Sequence, residues 1–105
     1  MMDRLTDITL ITIEYEKDQI GQRIEAGEAT RTLICTLHSI TRMEWQSAAQ
    51  QGLQPECMVK LASSDDYENE LIAEMNGVRY SIYRTYMTDD GGIELYLRKD
   101  IGPNL

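Results

Sequence analysis

The chain has 105 residues and a formal net charge of −8, enough for one domain with its own core and too few for two. Its 18 acidic residues stand against 10 basic ones, scattered without a Lys/Arg cluster, which excludes a nucleic-acid binder that works through a basic face. No apolar run approaches the roughly 20 residues of a membrane helix, and the opening M-M-D-R-L-T-D lacks the basic and apolar regions of a secretory signal, so a cytoplasmic product is expected.

Residues 8–15, I-T-L-I-T-I-E-Y, predict a first strand. Ile11, Ile13 and Tyr15 alternate on one face, and Ile8, Leu10 and Glu14 on the other, so its start is apolar on both sides. Residues 16–27 are polar and hold two glycines, which reads as a long, mobile hairpin connection. Residues 30–40 resume alternation, with Leu33, Cys35 and Leu37 on one face and Thr32, Thr36 and His38 on the other.

Residues 39–55, S-I-T-R-M-E-W-Q-S-A-A-Q-Q-G-L-Q-P, then break the strand pattern with a helix. Thr41 and Glu44 have the spacing of a capping box. Gly52 supplies a left-handed stop, and Pro55 prevents a restart. The helix carries Gln46, Gln50 and Gln51 on an amide-rich surface, with Met43, Trp45, Ala48 and Ala49 as its apolar residues. A helix this short needs docking to persist. Trp45, the single tryptophan, either pins it to the rest of the domain or serves as an interface anchor.

Strands follow at residues 57–62, 70–75, 78–85 and 93–99. A turn at 63–67 separates the first two, and Asn76-Gly77 joins the next two as a type I′ hairpin. In 78–85, strict alternation puts Tyr80, Ile82 and Arg84 with Tyr86 on one face, and Arg79, Ser81, Tyr83 and Thr85 on the other. Asp89-Asp90-Gly91-Gly92 makes the last hairpin, and Ile93, Leu95 and Leu97 point inward. Residues 100–105 form a tail. The fold expected is mainly β: a small antiparallel barrel of about six strands in one domain spanning 1–105, with a helical insertion between the second and third core strands.

Catalytic chemistry is not expected. The acidic doublets Asp65-Asp66 and Asp89-Asp90 sit beside Ser and Gly and read as turn formers. No nucleophile elbow, phosphate-cradling loop or zinc-finger spacing is present, and the single His38 leaves no base for a nucleophile to share. Cys35 and Cys57 lie in strand-like alternations and are expected as reduced core thiols. No metal or other cofactor is expected. The tyrosines at 80, 83, 86 and 96 read as sheet packing with hydroxyls at the rim.

Together, S-I-T-R-M-E-W…G-L-Q-P-E at 39–56, D-Y at 66–67, N-G-V-R-Y-S-I-Y-R-T-Y at 76–86 and I-E-L-Y-L at 93–97 resemble the head closure (head–tail joining, or stopper) proteins of long-tailed bacteriophages and of prophages of Gram-positive bacteria. The N-terminal T-L-I-T-I…D…G is similar too. The resemblance implies a structural protein at the head–tail interface of the virion, made in the host cytoplasm. Its partners would be the portal-adaptor ring protein, a tail terminator or tail-tube end, and copies of itself in a dodecameric or hexameric ring. Packaged DNA would pass by without sequence-specific binding, and an acidic wall suits that passage. The resemblance places the channel insertion at residues 40–56, with Arg42, Glu44, Trp45, Gln46, Gln50 and Gln51 as its assembly residues. It places ring contacts in a flexible loop, 16–30, at Asp18, Gln22 and Arg23. Other readings are another connector or tail protein, an adaptor or tail terminator, or a peptide- or glycan-binding β module.

Overall fold

A computed structural model describes residues 4–52 and 54–99. The strands are β1 (Arg4–Lys17), β2 (Arg23–His38), β3 (Pro55–Leu61), β4 (Ile72–Met75), β5 (Val78–Met87) and β6 (Ile93–Lys99), with one helix, α1 (Arg42–Gln50), between β2 and β3. All pairings are antiparallel and close into a barrel in the order β1-β2-β3-β6-β5-β4. The expected tail, 100–105, lies outside the described residues.

Alternation builds the interior. Ile8 and Leu10 from β1, Cys35 from β2, Val59 and Leu61 from β3, and Leu95 and Leu97 from β6 all bury their side chains in one cluster. Leu33 and Leu37 pack against it from the face of β2 that carries Cys35. Asn76 and Gly77 take φ of 52° and 79°, the paired positive values of the type I′ hairpin read from the sequence. The acidic doublets fall where turns are made. Asp65-Asp66 lies in a 3₁₀ turn (Ser64–Asp66), whose cap Ser63 accepts from the Asp65 amide. Asp90 accepts from the Gly92 amide and the Thr88 hydroxyl and pairs with Lys60 at 2.6 Å.

Both thiols are free, with Cys35 buried and Cys57 half-buried. Burial, helped by Asp7 for Cys35 and by Glu56 for Cys57, pushes each up to about 11. Almost no thiolate exists at neutral pH, and thiolate is the nucleophile. Iodoacetamide at pH 7.5 should therefore leave the folded protein unmodified for hours and alkylate two thiols once it is unfolded, as read by intact mass. Rapid double alkylation of the folded protein would contradict this packing.

Three expectations need correcting. The loop expected at 16–30 is mostly strand. β1 runs to Lys17 and β2 starts at Arg23, pairing in continuous register apart from one bulge. Only a tight turn joins them, with the Asp18 carboxylate accepting from the amides of Ile20 and Gln22 at 3.0 and 2.9 Å. The stretch reads as loop because it has no buried face: all residues from 19 to 30 are exposed, so hydrophobic alternation is absent where strand pairing continues. The strand expected at 70–75 starts instead at Ile72. Glu70 is buried, held by Arg31, while Leu71 is 70% exposed. Alternation in β5 also fails midway. The register shifts between Ile82 and Arg84, leaving Tyr83 as the extra residue of a bulge.

The barrel is unevenly sewn. β1 and β2 pair along their whole length, yet β1 meets β4 only over residues 9–11 and β2 meets β3 only over 36–38. The β1–β2 hairpin is thus a long panel laid across the sheet β3-β6-β5-β4. Arg31 reinforces one seam: it donates to Glu70 through Nε and Nη2 at 3.0 and 2.7 Å and to the Asp66 carbonyl at 2.7 Å.

Candidate functional site

The insertion between β2 and β3 holds the one α-helix among the described residues. Thr41 caps α1, its hydroxyl accepting from the Glu44 amide at 3.2 Å. Gly52 follows the C-cap with φ 78°, a left-handed position open to glycine. Only half of the expected capping box forms. The Glu44 carboxylate does not return to the cap but crosses to the barrel, accepting from the Tyr83 hydroxyl at 2.9 Å and from Arg84 Nη2. On the barrel the carboxylate meets a full positive charge and a phenolic donor together, where the cap offers one amide.

The bulge at Tyr83 makes this contact possible. It turns Tyr83 and Arg84 to the same side, against the strict alternation read from the sequence. Arg84 then pairs across to Tyr96, and its guanidinium lies 4.1 Å from the centre of that ring. The rings of Tyr83 and Tyr96 sit tilted at 6.3 Å, and the Tyr96 hydroxyl donates to Glu94 at 2.8 Å. Burial raises the Tyr83 pKa, and its bond to Glu44 raises it further; burial and Glu94 push Tyr96 up to about 12. Burial disfavours the charge on Arg84, but Glu44 outweighs it and the net pKa is raised. The cluster therefore keeps a single protonation pattern across neutral pH: phenols neutral, guanidinium charged.

Little else holds the helix. Ala48 is its one buried residue. Between α1 and the barrel lies a cleft of about 490 Å³, bordered by Met43, Ser47 and Gln51 on the helix side and by Tyr83, Arg84 and Tyr96 on the other. Trp45 is 54% exposed and Met43 80%, so both leave most of their surface to solvent. Arg42, Gln46, Gln50 and Gln51 are all exposed. The structure gathers the expected insertion residues on one short helix and its C-cap, and Glu44 is the one that bonds to the barrel among the described residues.

Asp18, Gln22 and Arg23 lie together at the far tip of the β1–β2 hairpin. Asp18 is spent on its own turn, and Arg23 stacks on Tyr15 at 4.1 Å. Sequence reasoning named Ala48 among the helix's apolar residues but missed Tyr83, Arg84 and Tyr96 as the barrel side of the docking set. A weak signal existed: Glu44 has Ala48, not a cation, four residues on, so its carboxylate had no partner on its own helix.

Among the described residues, no group of three or more His, Cys, Asp or Glu side chains is placed to hold a metal ion, and no helix is long and apolar enough to cross a membrane. The geometry defines a small closed antiparallel barrel carrying an exposed helical insertion on one polar latch. Comparison with models of protein families and with curated proteins finds no match.

Proposed function

We propose that this protein is a head closure protein of a long-tailed phage or prophage. In this reading it forms a ring beneath the portal-adaptor ring, closes the channel after packaging, and offers the surface on which a tail terminator or tail-tube end docks. The insertion carries the reading. It leaves the barrel between β2 and β3, where the resembling proteins hold their channel segment, and it exposes Trp45 and Met43 while Glu44 binds the barrel and Ala48 is buried. A tryptophan left half in solvent on a weakly anchored helix suits an interface formed later. The net charge of −8 suits a wall that DNA slides past, since like charges repel. Heterologous contacts around a closed ring need two different lateral patches on each subunit.

The test replaces most of residues 43–51 by a glycine bridge in a phage that carries this gene. The barrel should fold, because the strands on either side keep their own pairing. DNA-filled heads should fall by about tenfold or more, as expected when a closing element with no substitute is removed. Normal accumulation of filled heads by a folded variant would refute the gating role.

A further inference from the structure

The β1–β2 hairpin contains more strand than the barrel uses. Beyond residue 11 β1 has no β4 partner, and before residue 36 β2 has no β3 partner. The two strands run on together as a ribbon to the turn at 18–22. An isolated two-stranded ribbon is marginal in water, but this one does not stand clear of the barrel. One of its faces looks across a cleft of about 630 Å³ at the side of β4, β5 and β6 that is turned away from the core. Ile13 opposite Glu28 and Tyr15 opposite Glu25 supply the ribbon wall. Ile72, Ser81 and Arg98, neighbours in register, supply the sheet wall together with Arg79.

The two walls are opposite in charge. Both acids that line this cleft, Glu25 and Glu28, are on the ribbon, and both bases, Arg79 and Arg98, are on the sheet. One pair is made: Arg79 donates to Glu28 at 2.9 and 3.3 Å. The other is not. Among the described residues no cation pairs with Glu25 and no carboxylate with Arg98. Arg98 is half-buried, and its Nε is buried without an acceptor. A buried donor left unmet is unfavourable, and the nearest remedy is the free carboxylate on the facing wall. The apolar groups favour the same movement. Tyr15 is 47% and Leu71 70% exposed, and both border this cleft with the half-buried Ile13 and Ile72. Drawing the walls together takes their facing surfaces out of water.

Between the pair that is made and the one that is not lies an irregularity. The register shifts between Glu14 and Tyr15, which leaves Ala26 without a partner. Gly27 beside it has φ 156°, a value that side chains rarely adopt. A bulge bends its strand locally. Glu28 is on the barrel side of this bulge and Glu25 on the tip side, so the tip can swing while Arg79 holds the base.

We infer that the tip of the β1–β2 ribbon, residues 15–25, is a strap that hinges at the bulge formed by Ala26 and Gly27 and closes on β5 and β6, bringing the Glu25 carboxylate to Arg98. Closure also carries Tyr15 toward Leu71. The strap is a property of the single chain and does not rest on the head closure reading.

Zero-length crosslinking of the full chain tests this. A carbodiimide joins a carboxylate to an amine only where the two touch. In the Arg98→Lys variant it should join the introduced amine to Glu25 within one chain, as read by peptide mapping of the monomer band. Amide exchange then follows the native pair. Glu25→Gln, an exposed change that leaves the core untouched, should speed exchange in residues 15–25 by about threefold, the weight of a partly exposed ion pair, and leave β3 unchanged. Arg98→Met should do the same, and the double variant should be no faster than either single one, because one pair is lost only once. A crosslink to Glu28 in place of Glu25, no crosslink to Glu25, or additive effects on exchange would overturn the inference. So would a link to Glu25 found only between chains, which would make a second copy the partner of Arg98.

Discussion

Replacing Arg31 by methionine should lower the unfolding free energy at pH 7 by about 3 kcal/mol, the cost of leaving a buried charge without its partner. The Glu70 side chain is 3% exposed, and two of its hydrogen bonds come from Arg31. Without Arg31, only backbone amides remain among the donors that lower its pKa, that of Glu68 at 2.9 Å among them. Burial pushes the Glu70 pKa up, but the Arg31 bonds, with help from backbone amides, outweigh it and hold the carboxyl below its ordinary value. A depressed carboxylate stabilises the fold above its unfolded pKa of about 4.3 and loses that contribution as pH falls through the folded value. In the Arg31→Met variant burial wins, so the folded carboxyl binds its proton more readily than the unfolded one. The stability gap between wild type and variant should therefore be widest at pH 7 and narrow toward pH 4. Urea unfolding at both values measures this. The double variant Arg31→Met/Glu70→Gln should recover part of the loss at pH 7. A gap that stays constant with pH would assign the effect to Arg31 packing and not to the pair.

That ion pair shows what the sequence left hidden. Glu70 and Arg31 are 39 positions apart, and no local pattern joins them. Where a strand has one buried and one wet face, alternation identified it. Ile93, Leu95 and Leu97 were read as inward and are buried, and β6 begins and ends where expected. Turn chemistry was equally legible at Asn76-Gly77 and at Gly52, because positive φ restricts the residue type. The ribbon beyond the barrel was not legible. Its strands are held by each other and by solvent, so residues 19–30 carry no hydrophobic period. Bulges are also silent in sequence. The one at Tyr83 shifted the face of Arg84, and with it the anchor of the insertion. Position of the helix was readable from its caps, whereas its attachment depended on that irregularity.

Glu44→Ala should free α1 while leaving the barrel intact. Exchange of the amides in Arg42–Gln50 should accelerate by at least about tenfold, since a hydrogen bond to a charged group contributes roughly 1.5–3 kcal/mol. Amides of β3 and β6 should change by less than about twofold, because local openings of separate units are independent of one another. A helix of 9 residues does not persist in water without docking. Its docking consists of Ala48, a small side chain, and the Glu44 carboxylate, 12% exposed, bound to Tyr83 and Arg84. Ala48 alone buries too little apolar area to hold it. Glu44→Gln, which retains a hydrogen-bond acceptor without the charge, should fall between wild type and alanine. Thr41→Ala separates capping from docking: it should cost the helix about 1 kcal/mol and leave the Tyr83 contact in place. Added salt should mimic part of the Glu44 effect, because the Arg84 side chain is 45% exposed and open to screening. If Glu44→Ala instead loosened β3, β6 and the helix together, the insertion would belong to the cooperative core, and a movable closing element would need another origin.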